Sequence, residues 1–61
     1  MDKKVKEQIL AIQGTGLTNM FDLNMVQRLA YKRDFYDLVL YLTFHRREYV
    51  HFILHGDSEN A

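Results

Sequence analysis

The decapeptide "FYDLVLYLTF", residues 35–44, constrains this chain more than any other stretch. Eight of its ten residues are apolar or aromatic. Wound as a helix, it puts Phe35, Leu38, Val39 and Leu42 on one face. Tyr36, Leu40 and Phe44 form a second, nearly opposite face, with Tyr41 between the two. A helix that is apolar all round must be covered on all sides. Two or three short helices from the same chain can cover one face well, but hardly both. Either this helix is the centre of a bundle, or Tyr36, Leu40, Tyr41 and Phe44 meet another molecule. The simplest such arrangement is a twofold homodimer.

The chain is too short to offer much else. It has 61 residues, and a domain of that size buries only about 60% of the surface its unfolded form exposes. With no cysteine, neither disulfides nor thiolate-bound zinc can supply a staple. Hydrophobic residues make up 48% of the chain, too many for a disordered segment. Eight basic residues balance eight acidic ones. A protein that lives by neutralising phosphates carries a basic excess, whereas zero net charge lowers self-repulsion and favours association. The longest apolar run, "LVLYL", is far shorter than the ~20 residues that span a bilayer. Lys3, Lys4 and Lys6 precede no signal-peptide core, so the expectation is a soluble, cytoplasmic protein with no membrane partner.

The rest of the chain reads as further helix. In "DKKVKEQILAIQ", Val5, Ile9 and Ile12 share a face, Leu10 lies at its edge and Asp2 is the N-cap. That helix is expected over Lys3–Gln13, ended by Gly14. "GTGLTNMFD" has the look of a phosphate loop, but it lacks the preceding strand of a dinucleotide fold and the lysine of a Walker loop. A joint between helices accounts for more of its residues. Gly16 allows the reversal, Thr18 and Asn19 bond the turn backbone, and Asp22 caps the next helix. Phe21 and Val26 have staple spacing, and Leu17 and Met20 are expected to plug the core.

In "LNMVQRLAYKR", Leu23, Val26, Leu29 and Ala30 face inward while Asn24, Gln27, Arg28 and Lys32 point away. Asp34 and Asp37 read as a capping pair for the following helix. Chain without proline, and without glycine between residues 17 and 55, allows one long helix there or two abutting ones. "HRRE" at 45–48 is the expected break, with a fourth helix over about 46–54 and a stop at Gly56. The fold class is therefore all-α, a compact bundle of three to four short helices. Residues 1–56 form a single domain and residues 57–61 a flexible polar tail.

Little of this carries catalytic chemistry. Ser58 is the single serine and there is no cysteine, so nucleophile triads lack material. Glu48, His51 and His55 give the spacing E-x-x-H-x-x-x-H, but the motif is not duplicated on another helix as in di-metal bundles. The reading is ordinary helix histidines, with no metal and no cofactor, and His45 at the bend. Arg28, Tyr31, Lys32 and Arg33 are the candidate nucleic-acid contacts. Their plainer role is a solvated face with ion pairs such as Arg33 to Asp37.

"ILAIQGTGLTNMFD", "VQRLA", "FYDLVLYL" and "EYVHFIL" together resemble a small family of uncharacterised proteins from Gram-positive bacteria and their prophages, catalogued as a domain of unknown function. The resemblance covers about residues 4–56, and "TNMFD" is its most specific string. It implies a stand-alone intracellular protein of phage or mobile-element origin, and no activity, cofactor or catalytic residue. In that family a glycine often precedes "FY" where Asp34 stands here, and polar residues are usual at the positions of Thr43 and Phe44. The expected function is a non-enzymatic helical interaction module, homodimeric, with a host or phage protein as partner. The alternative is a small DNA-binding or regulatory protein that uses the basic face of its second helix.

Overall fold

The computed structural model describes residues 1–56 as four helices: α1 (Lys3–Thr15), α2 (Leu23–Lys32), α3 (Tyr36–Phe44) and α4 (Arg46–His55). The all-α bundle expected from the hydrophobic spacing is present, and the 57–61 tail lies outside the described residues. The caps read from the sequence hold at two helix starts. Asp2 accepts the Lys4 N–H at 3.0 Å and Asp22 accepts the Met25 N–H at 3.2 Å. In the joint, Asn19 Oδ1 accepts the Phe21 N–H at 2.9 Å, an Asx turn that leads the chain into α2.

The apolar stripes converge as their spacing requires. Val5, Ile9 and Ile12 of α1, Val26 and Ala30 of α2, and Leu38 and Leu42 of α3 are buried around one core. Met20 of the joint and Tyr49 of α4 complete it. α3 is the central element and packs against α1, α2 and α4. The radius of gyration is 10.6 Å, against about 10.5 Å expected for a globule of this length.

The break at residue 45 divides the long apolar stretch into two helices. His45 has φ −135° and ψ 49°, outside the helical region. Its N–H still donates to the Tyr41 carbonyl at 2.7 Å, while its own carbonyl accepts from Tyr49 at 3.1 Å. Arg46 Nε bonds the Leu42 carbonyl at 3.2 Å, which satisfies one of the orphan acceptors left by the end of α3. An arginine side chain thus does what a glycine turn often does.

Four local expectations are corrected. Gly14 does not end α1, which runs on through Thr15 to a left-handed cap at Gly16 with φ 67°. Leu17 does not plug the core; only Met20 does, and Leu17 is exposed. Asp34 is not the N-cap of α3. It sits at φ 61°, with its N–H on the Tyr31 carbonyl and the Phe35 N–H on the Ala30 carbonyl. That pair of bonds is a Schellman closure of α2, in which the residue after the cap takes the left-handed conformation and is usually glycine. Asp37 pairs at 3.5 Å with Lys4 rather than with Arg33.

Polar groups distant in sequence fix how the helices dock. α3 receives no side-chain cap from Phe35, the residue before it. Gln8 of α1 supplies one instead, as its Oε1 accepts the Leu38 N–H at 3.0 Å. Gln27, expected to face solvent, reaches across from α2 and donates to the Val39 carbonyl at 3.1 Å and to Thr43 Oγ1 at 2.9 Å. Tyr49 is fully buried, and its hydroxyl donates to the Met20 carbonyl at 2.7 Å.

Burial pushes the Tyr49 phenol up to about 12, above its ordinary value near 10. A raised folded value means that the unfolded chain ionises first. The contribution of Tyr49 to stability is therefore complete below pH 10 and is lost as pH rises toward 12. Urea titrations across that window should show the decline, and Tyr49→Phe should remove this component. At neutral pH, Tyr49→Phe should cost about 1–2 kcal/mol, because the Met20 carbonyl loses its buried donor.

The two glycines of the first joint should respond in opposite directions. Gly14 lies within α1 with open space where a Cβ would stand, so Gly14→Ala should stabilise by about 0.5–1 kcal/mol. Gly16→Ala should destabilise by roughly 1 kcal/mol or more, since it places a Cβ in the left-handed region. Thermal melts of the two variants read the signs directly.

Candidate interaction surface

The candidate surface follows from how α3 is packed. At 100° per residue, Leu40 lies opposite the midpoint of Leu38 and Leu42. Burying those two in the core therefore turns Leu40 outward. Tyr36 and Phe44, one turn to either side, go with it. The three are 51%, 57% and 73% exposed for Tyr36, Leu40 and Phe44 respectively. They form an apolar stripe about 12 Å long at 1.5 Å per residue. α3 is thus central and still has one uncovered face.

Tyr41 takes a different position from its three companions. It is half-buried, with its ring tilted against His45 at 5.0 Å between centroids. It borders the grooves on either side rather than the crest of the stripe. Asp2, the N-cap of α1, and Val5 line one of these grooves together with Leu40 and Phe44. A docking partner would meet an apolar crest with a polar margin.

The basic set lies at the other end. Arg28, Tyr31, Lys32 and Arg33 are all exposed on the second half of α2 and its cap. Arg28 and Tyr31, three residues apart, line one groove beside Val39. Lys32 occupies the last turn of α2, where the negative end of the helix dipole favours a cation without any ligand. Tyr31 is joined to the α3 stripe by an edge-on contact with Tyr36, ring centroids 5.8 Å apart. The two candidate sets, separate in the sequence reading, thus meet at this tyrosine pair.

Asp34 belongs to the same corner. Its carboxylate accepts the Tyr36 hydroxyl at 2.9 Å. This hydrogen bond, and then the carboxylate's negative charge, raise the Tyr36 phenol above its ordinary value. Sequence reading missed the pair because Asp34 was assigned to backbone capping. Asp34→Asn removes the charge and the strongest acceptor, so the Tyr36 titration should move down toward the ordinary tyrosine range. Spectrophotometric titration of the variant against the parent protein, followed at the phenolate absorbance, measures it.

The described residues form a small all-α bundle with an apolar stripe on its central helix and contain no group of three or more histidine, cysteine or acidic side chains placed to hold a metal ion. No helix among them is long and apolar enough to cross a membrane. The chain belongs to the family described as Domain of unknown function (DUF5049), whose model matches residues 1–57. No curated protein and no solved structure matches it. The resemblance read from "TNMFD" and its companion strings is borne out as membership of an uncharacterised family.

Proposed function

We propose that this protein is a non-enzymatic interaction module that binds through the outer face of α3, with a second copy of itself as the simplest partner. The observation that carries this reading is the exposure of Tyr36, Leu40 and Phe44 on the helix that also supplies the core residues Leu38 and Leu42. An apolar stripe on a central helix is costly to leave in water and gains free energy when covered. The balanced charge of the chain adds no net repulsion between copies. The non-enzymatic part rests on the inventory of nucleophiles, which has no cysteine and a single serine outside the described residues.

A prophage origin and a host or phage protein as further partner rest on the sequence resemblance alone. So does an intracellular location. Nucleic-acid binding through Arg28, Tyr31, Lys32 and Arg33 is the competing use of the adjoining corner. It would replace the present reading if gel shifts showed affinity falling steeply with salt and lost on Arg28→Glu.

Light scattering coupled to size exclusion should give a mass near twice the 7.3 kDa of one chain. Leu40→Asp, at an exposed position, should shift that mass toward the monomer by roughly tenfold or more in dissociation constant, with far-UV circular dichroism unchanged. A strict monomer at millimolar concentration, together with an indifferent Leu40→Asp variant, would sink the self-association.

A further inference from the structure

We propose that a second copy covers the α3 stripe in a parallel sense, α3 alongside α3, so that the Arg28 side of each chain meets the Asp37 side of the other. The inference rests on the self-association proposed above and adds its geometry. It follows from the two margins of the stripe, which differ in charge.

Measured from Leu40, Asp37 and Tyr41 lie about 60° and 100° to one side of α3, and Thr43 and Val39 lie at the same angles to the other. The first side belongs to α1. Lys4 reaches Asp37 there at 3.5 Å, and Asp2 and Val5 share a groove with Leu40 and Phe44. The Asp, Glu, Lys and Arg side chains that line this groove are two carboxylates, Asp2 and Asp37. Lys4 does not line it, and an exposed pair such as Lys4 with Asp37 is worth little in water. The second side belongs to α2, whose Gln27 bonds the Val39 carbonyl and Thr43. The charged side chain lining its groove is Arg28, which makes no ion pair among the described residues. No aspartate or glutamate occurs in α2. The stripe thus runs between an acidic margin and a basic one. They stand nearly level, because Asp37 and Val39 are two residues apart, about 3 Å of helix rise.

A twofold axis that lays one stripe on another runs either across α3 or along it. An axis across α3 makes the helices antiparallel and sets each margin against its own copy, Arg28 opposite Arg28 and Asp37 opposite Asp37. An axis along α3 makes them parallel and sets each acidic margin against the partner's basic one. That contact occurs twice, as an isologous interface requires. Like charges brought together oppose association, whereas complementary ones fix the register. The apolar crest is the same in both arrangements, so the margins choose between them.

Light scattering over a concentration series at low ionic strength gives the dissociation constant of each variant, with far-UV circular dichroism as the check on folding. Arg28→Glu and Asp37→Lys should each raise the constant by roughly tenfold or more, since each reversal acts at two symmetry-related contacts. Both changes in one chain should return it to within about threefold of the parent. Single-cysteine variants read the direction independently, because the chain has no cysteine of its own. Under mild oxidation Phe44→Cys should link to its own counterpart. Antiparallel pairing about Leu40 would hold those two positions about 12 Å apart along the helix, out of disulfide reach, and would link Phe44→Cys to Tyr36→Cys instead. Leu40→Cys links in either arrangement and serves as the control. Suppose the dimer is lost on Leu40→Asp but ignores both charge reversals, or the double variant stays as weak as the singles, or Phe44→Cys links to Tyr36→Cys and not to itself. Any of these overturns the parallel arrangement and leaves the self-association standing, while a strict monomer overturns both.

Discussion

The hydrogen bond from the buried Tyr49 hydroxyl to the Met20 carbonyl is the contact on which the arrangement of this fold turns. Apolar burial is non-directional, so a short helix such as α4 could settle on its neighbours in several rotations. A phenol enclosed without a partner would cost free energy, and the Met20 carbonyl offers it an acceptor at 2.7 Å. That bond ties the last helix to the joint between the first two, 29 residues earlier. Gln8 on the start of α3 and Gln27 on Val39 and Thr43 work in the same way for the other pairs. Each helix is thereby held in one rotational setting, and no buried side-chain polar atom among the described residues lacks a partner.

The rotational setting of α3 is what creates the surface. With Leu38 and Leu42 locked inward, the opposite side of a helix with apolar residues all round must carry Leu40, Tyr36 and Phe44 outward. A small bundle has too few elements to cover that side. α1 and α2 flank it, α4 continues from its end, and the stripe remains. The exposed apolar area is thus a geometric consequence of the core.

Much of this was legible in the residues. The i, i+4 and i+7 spacing of Val5, Ile9 and Ile12 picked out the buried face of α1. Leu23, Val26, Leu29 and Ala30 did so for α2, and Leu38 and Leu42 for α3. Asp2 and Asp22 capped as read, because a side chain next to its own backbone finds the orphan N–H with no help from elsewhere. The failures share a different cause. An aspartate between two helices can start one or close the other, and Asp34 closes α2 because Phe35 and Ala30 make the outer bond of the turn. Gly14 stays helical because the next glycine, two residues on, is the one that takes the left-handed turn. Gln27 reads as a polar surface residue on any helical wheel, and only the position of α3 gives its amide something to bond.

The sequence by itself determined the helical nature of the chain, the core faces of its first three helices and the presence of more apolar surface on residues 35–44 than one small core can take, and left three or four helices open. Local backbone preferences and helical periodicity act within a few residues, so they can be read without knowing the fold. Tertiary structure alone decided which polar residues became ties, which three of the four aromatic and aliphatic candidates lay on the crest, and that Tyr31 and Tyr36 would meet. Those outcomes depend on side-chain distances of a few ångströms across or along packed helices, and residue spacing does not contain them.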